Sequence, residues 1–177
     1  MKTKTMNHKA LAGSDRVLEL KNVTKTCGLK GSETQALKGI SFDVLAGEFL
    51  GIMGPSGSGK TTLLNTIATM IRPTSGKVLL EQRDLAMFKG RELADYRGKK
   101  IGYLFQDFEL LDNMTAKENI LLPLSLHSIS GQKAKEPLEA LARQLDILDV
   151  LEKFPCQMSG GQKQRVAAAR ALIANPR

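Results

Sequence analysis

Residues 54–64 read GPSGSGKTTLL, and four of them, Gly54, Gly59, Lys60 and Thr61, stand at the spacing G-x-x-x-x-G-K-[ST]. Phosphate oxygens need several N–H donors converging on a small volume. Glycines let the backbone bend around an anion with no Cβ in the way, and a helix N-terminus adds partial positive charge. In this pattern the Lys60 ammonium reaches the β- and γ-phosphates, the Thr61 hydroxyl takes one position on Mg²⁺, and Thr62 adds an α-phosphate contact. Pro55, Ser56, Gly57 and Ser58 complete the loop. A flexible turn opening an ordinary helix is the plainer interpretation of such a stretch. The flanks argue against it: the apolar run Phe49–Met53 precedes the loop as a buried strand should, and Lys60–Ile71 follows with helical character. The loop is expected to cradle a nucleoside triphosphate with Mg²⁺.

A second stretch with anion-binding chemistry is MSGGQKQRVAAARAL, Met158–Leu172. Ser159 brings a hydroxyl, and Gly160 and Gly161 bring two bare N–H groups, to the start of an alanine-rich helix, with Gln162 beside them. Gln106 closes the apolar run KKIGYLFQ. Alone, a glutamine at a strand end is an ordinary surface residue, and only its flanks give it weight.

The elements that must hold these residues follow from the hydrophobic pattern. Val17–Thr26 alternates like a half-buried strand, GLKGSET is a loop, and ALKGISFDVLAGEFLGIMG holds two strands broken at Ala46-Gly47. KVLLEQRDL is a further strand, Arg91–Arg97 a charged helix, and KKIGYLFQ an apolar strand ending at Gln106. From Asp107 the pattern turns helical. Leu138, Leu141, Leu145, Leu148 and Leu151 recur at spacings of three and four, which predicts a core-facing stripe. The organisation expected is a polar, mobile tail over 1–15, a β lobe with the phosphate-loop core over 16–106, a helical subdomain over 107–158, and the Ser159 turn and its helix over 159–177.

Bulk properties bound the class. A chain of 177 residues can bury one core, or a core and a smaller lobe. No window approaches the ~18 apolar residues of a membrane span, and the apolar part of MKTKTMNHKALAG is too short for a secretory signal, so a cytosolic location is expected. Cys27 and Cys156 have neither metal-site nor disulfide spacing and read as reduced thiols. The net charge of +8 is scattered, with no interleaved aromatics and no tryptophan. Solvated faces and phosphate contacts account for it, and no nucleic-acid partner is expected.

The phosphate loop and, about a hundred residues later, MSGGQKQRVAAARAL resemble the ATP-binding cassette (ABC) family, whose signature positions match Ser159, Gly160, Gly161 and Gln162. Gln106 resembles the family's Q-loop glutamine, which senses Mg²⁺ and the attacking water. The likeness runs from Val17 to Arg177. In wording it is nearest to the ATPases of the macrolide-export, lipoprotein-release and antimicrobial-peptide-resistance group. The resemblance implies an α/β phosphate-loop fold with an antiparallel β lobe, a partial parallel-sheet core and a helical subdomain. It implies ATP and Mg²⁺ as ligands, with Lys60 and Gln106 in catalytic roles and Thr61 and Gln106 at the metal. It further implies a head-to-tail dimer in which the Ser159 turn meets the nucleotide of a second ATP-binding subunit. A membrane permease is the remaining partner, placing the protein at the inner face of the membrane.

Two departures carry expectations. Cys27 stands where the family usually has an aromatic residue stacked on adenine, so weaker nucleotide binding is expected. The sequence ends at Arg177, before the family's Asp-Glu strand and switch histidine, and neither His8 nor His127 fits the latter. Loss of a positioned general base lowers rates by about 10²–10⁴-fold, so a truncated chain deficient in hydrolysis is expected. The competing interpretations are a soluble ABC protein of DNA repair or translation, and an inactive remnant.

Overall fold

The computed structural model describes residues 16–29 and 31–176. The tail expected over 1–15 lies outside the described residues. The chain divides into two compact units, one ending at Leu93 and the other beginning at Ala94.

In the first unit, β1 (Arg16–Cys27), β2 (Thr34–Leu45), β3 (Ser75–Leu80) and β4 (Arg83–Asp84) form one antiparallel sheet in the order β2-β1-β3-β4. Pairing register sets the faces: Leu20 pairs with Phe42 on one side and Val78 on the other. A register shift between Leu20 and Val23, where Asn22 is left-handed at φ 50°, interrupts the expected alternation so that both are buried, as are Leu37 and Val78. Helix α1 (Lys60–Ile67) packs against β2 and buries Leu63 and Thr66. It stops four residues short of the expected Ile71. Thr69 turns left-handed at φ 60°, and the Met70 N–H bonds back to the Asn65 carbonyl at 2.9 Å, a closure that ends a helix without glycine.

Helix α2 (Gly90–Lys100) carries the chain from the first unit into the second. There α3 (Ala116–Leu126), α4 (Gln132–Gln144) and α5 (Gly160–Leu172) enclose a core built on Ile120, Leu138, Ala142, Ile147, Val150 and Val166. Of the five leucines of the expected stripe, Leu138 is buried and Leu141, Leu145 and Leu151 are half-buried against the core, but Leu148 is 44% exposed. Helix α4 has ended by then, so the 3.6-residue period no longer applies. A 3₁₀ turn over Leu148–Val150 buries Val150 instead.

Two expected strands are not formed. Phe49–Met53 and 101–106 have no ladder partner among the described residues, and Phe49 and Met53 are 98% and 83% exposed. A strand exists through hydrogen bonds to a neighbour, and an apolar run alone does not supply one. The mixed α/β class and its antiparallel lobe therefore stand, whereas the partial parallel-sheet core is unpaired among the described residues.

Candidate nucleotide-binding site

Three features shape the loop before α1. Gly59 caps the helix at φ 89°, and a Cβ there would lie 2.5 Å from the Ala36 carbonyl oxygen of β2, so only glycine lets helix and sheet meet this closely. A Cβ on Gly54 would meet the Ser58 hydroxyl at 2.7 Å, so the loop closes across its own mouth. The Ser58 N–H bonds to the Pro55 carbonyl at 3.2 Å, which makes the turn between them.

No side chain caps α1. The N–H groups of its first turn thus have no intrahelical acceptor, and Lys60–Thr62 present them beside Thr61, whose side chain is exposed. The Lys60 ammonium folds over the loop and donates to the Gly54 and Pro55 carbonyls, at 2.8 Å each. Its charge is therefore stationed at the loop mouth. The Ser58 Oγ is buried without a hydrogen-bond partner, an unmet polar group inside the cradle. A triphosphate fits this donor set: it is rich in N–H groups, positively charged and open where Cβ atoms are missing. Mg²⁺ fits as an ion held mainly by phosphate oxygens and water, since Thr61 is the one expected ligand in this unit. Among the described residues no group of three His, Cys, Asp or Glu forms a metal cluster.

The second unit holds the other expected residues. Ser159 caps α5: its Oγ accepts from the Gln162 N–H at 3.3 Å, and the Gln162 side chain accepts from the Ser159 N–H at 2.9 Å. These bonds leave the Gly160 and Gly161 N–H groups outside the capping box and the Ser159 hydroxyl proton available. Both glycines have helical backbones without positive φ, and a Cβ on Gly160 would meet nothing within 4 Å. Neither conformation nor packing within the chain calls for glycine there. Helix α3 is the contrast. Besides its Thr115–Glu118 capping box, its first N–H groups bond the carbonyls of Lys153 and Leu151 at 2.8 and 2.9 Å, so its start is closed by the fold itself.

Gln106 is exposed in an irregular segment, 101–110. Two residues that sequence reasoning passed over hold the chain after it. Asn119 is fully buried; it accepts from the Leu111 N–H at 2.8 Å and donates to the carbonyls of Leu111, Met114 and Thr115. Its signal was available, since a polar residue at a buried position of the α3 period has to be satisfied. Arg170 donates to the carbonyls of Phe108 and Glu109, at 2.6 Å each. Burial lowers the pKa of its guanidinium, opposed by the nearby Glu109 carboxylate. Nothing in the sequence marked it. Cys27 lies exposed at the end of β1, paired with Thr34.

A glycine-rich loop feeding an uncapped helix on an antiparallel lobe, together with a helical unit, defines a phosphate-loop α/β protein. The family model described as "ABC transporter" matches residues 37–177, and the chain belongs to that family. Among curated relatives, the bacitracin export ATP-binding protein BceA of Halalkalibacterium halodurans is 45% identical over 160 residues, covering 90% of this chain and 63% of the relative. The ABC transporter ATP-binding protein YxdL of Bacillus subtilis is 48% identical over 161 residues, covering 90% and 62%. The chain thus spans under two thirds of the length of these relatives. The dimeric structure of MJ0796, a bacterial ABC transporter cassette, matches with a TM-score of 0.84 at 40% identity, covering 90% of this chain and 70% of that one. The same cassette is solved in a post-hydrolysis dimer bound to ADP and Pi, with a TM-score of 0.83. No helix among the described residues is long and apolar enough to cross a membrane.

Proposed function

We propose that this chain is the ATP-binding part of an ABC transporter, coupling nucleotide to a membrane permease at the inner face of the membrane. The observation that carries the reading is the loop Gly54–Thr62, with Lys60 bridging two of its carbonyls and α1 left uncapped behind it. When bound, ATP with Mg²⁺ supplies the phosphate charge that these groups are arranged to meet. The ammonium of Lys60 would exchange its two carbonyls for phosphate oxygens, the N–H groups of 59–62 would converge on the same charge, and the Thr61 hydroxyl would face the metal. Gln106 would report on the metal side of the site.

The Ser159 turn is assigned to a second nucleotide, held by another ATP-binding subunit. Two observations support this: glycines at 160 and 161 that the fold does not need, and the dimeric state of the MJ0796 cassette. The relatives' names favour export of a peptide or macrolide-like substrate, and the permease would carry that choice. Neither the fold nor the relatives favour a soluble repair or translation protein. Titration of the chain with ATP-Mg²⁺ tests the reading, with Lys60→Ala as the control. Saturable binding weakened by tenfold or more in the variant is expected. Equal binding by both proteins, or none by the natural chain, would remove the assignment.

A further inference from the structure

Gln106 hangs between two places where the chain is gripped by one helix. Before it, a Cβ at Gly102 would collide with the Ala171 carbonyl oxygen and the Pro176 ring, so the backbone at 102 lies directly against the end of α5. After it, the Arg170 guanidinium spans the carbonyls of Phe108 and Glu109 at 2.6 Å each. These two residues are consecutive and left-handed, at φ 64° and 46°, a conformation that side chains bearing a Cβ rarely adopt. The turn has little of its own to sustain it: the Phe108 N–H reaches the Phe105 carbonyl at 3.2 Å, and the Glu109 N–H reaches the Asp107 carbonyl at 2.8 Å. A planar guanidinium suits such a task, because two parallel charge-assisted donors fix both carbonyls at once. Asn119 holds the chain further on, at Leu111, and leaves 108 and 109 to Arg170.

We propose that Arg170 is a positioning residue that holds the Phe108–Glu109 turn in its left-handed form and thereby ties Gln106 to the helix headed by Ser159. The inference deepens the reading of Gln106 and Ser159 given above and rests on it for its functional meaning. Ser159 and Arg170 lie on one continuous helix, roughly 16 Å apart at 1.5 Å per residue. A shift of α5 produced by an anion at its N-terminus therefore reaches the Gln106 segment through Arg170 and Gly102. The turn is the element with two states: left-handed when both carbonyls are held, relaxed when they are released.

Amide exchange of the full chain, measured by NMR without nucleotide, tests the hold directly. In Arg170→Gln the Phe108 and Glu109 amides are expected to exchange at least tenfold faster. In Arg170→Lys, with one donor direction in place of two, the increase should be smaller. The Leu111 amide, held by Asn119, should change less than twofold and serves as the internal control. Unchanged exchange at 108 and 109, or equal acceleration at Leu111 and throughout the core, overturns the proposal. The second arm adds ATP-Mg²⁺ and follows the Gln106 side-chain amide resonance. The natural chain should show a shift, and Arg170→Gln should lose it while its ATP affinity stays within twofold. A shift that persists in the variant, or a natural chain that binds ATP without one, overturns the link to Gln106. If the natural chain binds no ATP, the nucleotide reading fails, while the first arm still decides what holds the turn.

Discussion

Individual side chains separate what the family pattern requires from what this chain does differently. Cys27 is the clearest case. It sits exposed at the end of β1, at the position where the family resemblance leads one to expect an aromatic ring against adenine. Aromatic stacking on a base contributes about 1–3 kcal/mol in nucleic-acid binders. Cys27→Tyr is therefore expected to tighten ATP binding by about fivefold or more, with no matching gain for inorganic triphosphate, which has no base. Calorimetric titration with both ligands checks this, and an equal gain for both would point to a change in the loop instead. Gly59 was legible beforehand as a motif position, but its reason was not: the contact with the Ala36 carbonyl belongs to a strand 23 residues away and needs the fold to be seen. Arg170 was illegible for the same cause. Its partners are two backbone carbonyls about sixty residues earlier, and carbonyls leave no trace in a sequence.

Helices and strands were legible in proportion to how far their own residues determine them. The capped helices are the best example, because a capping box is written in four consecutive residues: Thr115 to Glu118 at α3 and Ser159 to Gln162 at α5. The end of α1 was overshot and the leucine stripe was carried past the end of α4, since both termini depend on backbone reversal, at Thr69 and at Asp146, where no glycine or proline marks the place. Phe49–Met53 and 101–106 failed as strands because hydrophobicity states only that a segment wants cover. The α3 box carries a pH signature. Hydrogen bonds from the Thr115 backbone and then its hydroxyl lower the pKa of Glu118 below its usual 4.5. A carboxylate with a depressed folded pKa stabilises fully above the unfolded value, and the contribution is lost as pH falls through the lowered one. Relative to Glu118→Gln, the natural chain should melt at a higher temperature at pH 7, and the difference should shrink as the pH drops below about 4.5. Thermal melts followed by circular dichroism over a pH series would show it. Thr115→Ala should lower stability by ~1 kcal/mol at pH 7 and by less as the pH drops below about 4.5, because part of what the hydroxyl supports is the ionised Glu118 carboxylate.

The molecule as a whole joins a strand-built unit carrying the phosphate loop to a helical unit carrying Gln106 and the Ser159 turn. Among the described residues, Phe49, Met53 and Leu29 are each more than 80% exposed. Exposed apolar surface of this kind drives association. Sedimentation velocity at rising concentration should show the chain self-associating, and Phe49→Lys combined with Met53→Lys should reduce it despite the net charge of +8 already present. Identical profiles for both proteins would place the association elsewhere.

The bare backbone at Gly160 and Gly161 sets stability against function. Neither conformation nor packing within the chain calls for glycine at either position, and under the proposed function they stand where a second nucleotide would come within touching distance of the main chain. On that proposal, engineering for a hardier protein by standard helix-strengthening substitutions at those two residues would blunt a surface whose usefulness depends on its having no side chains.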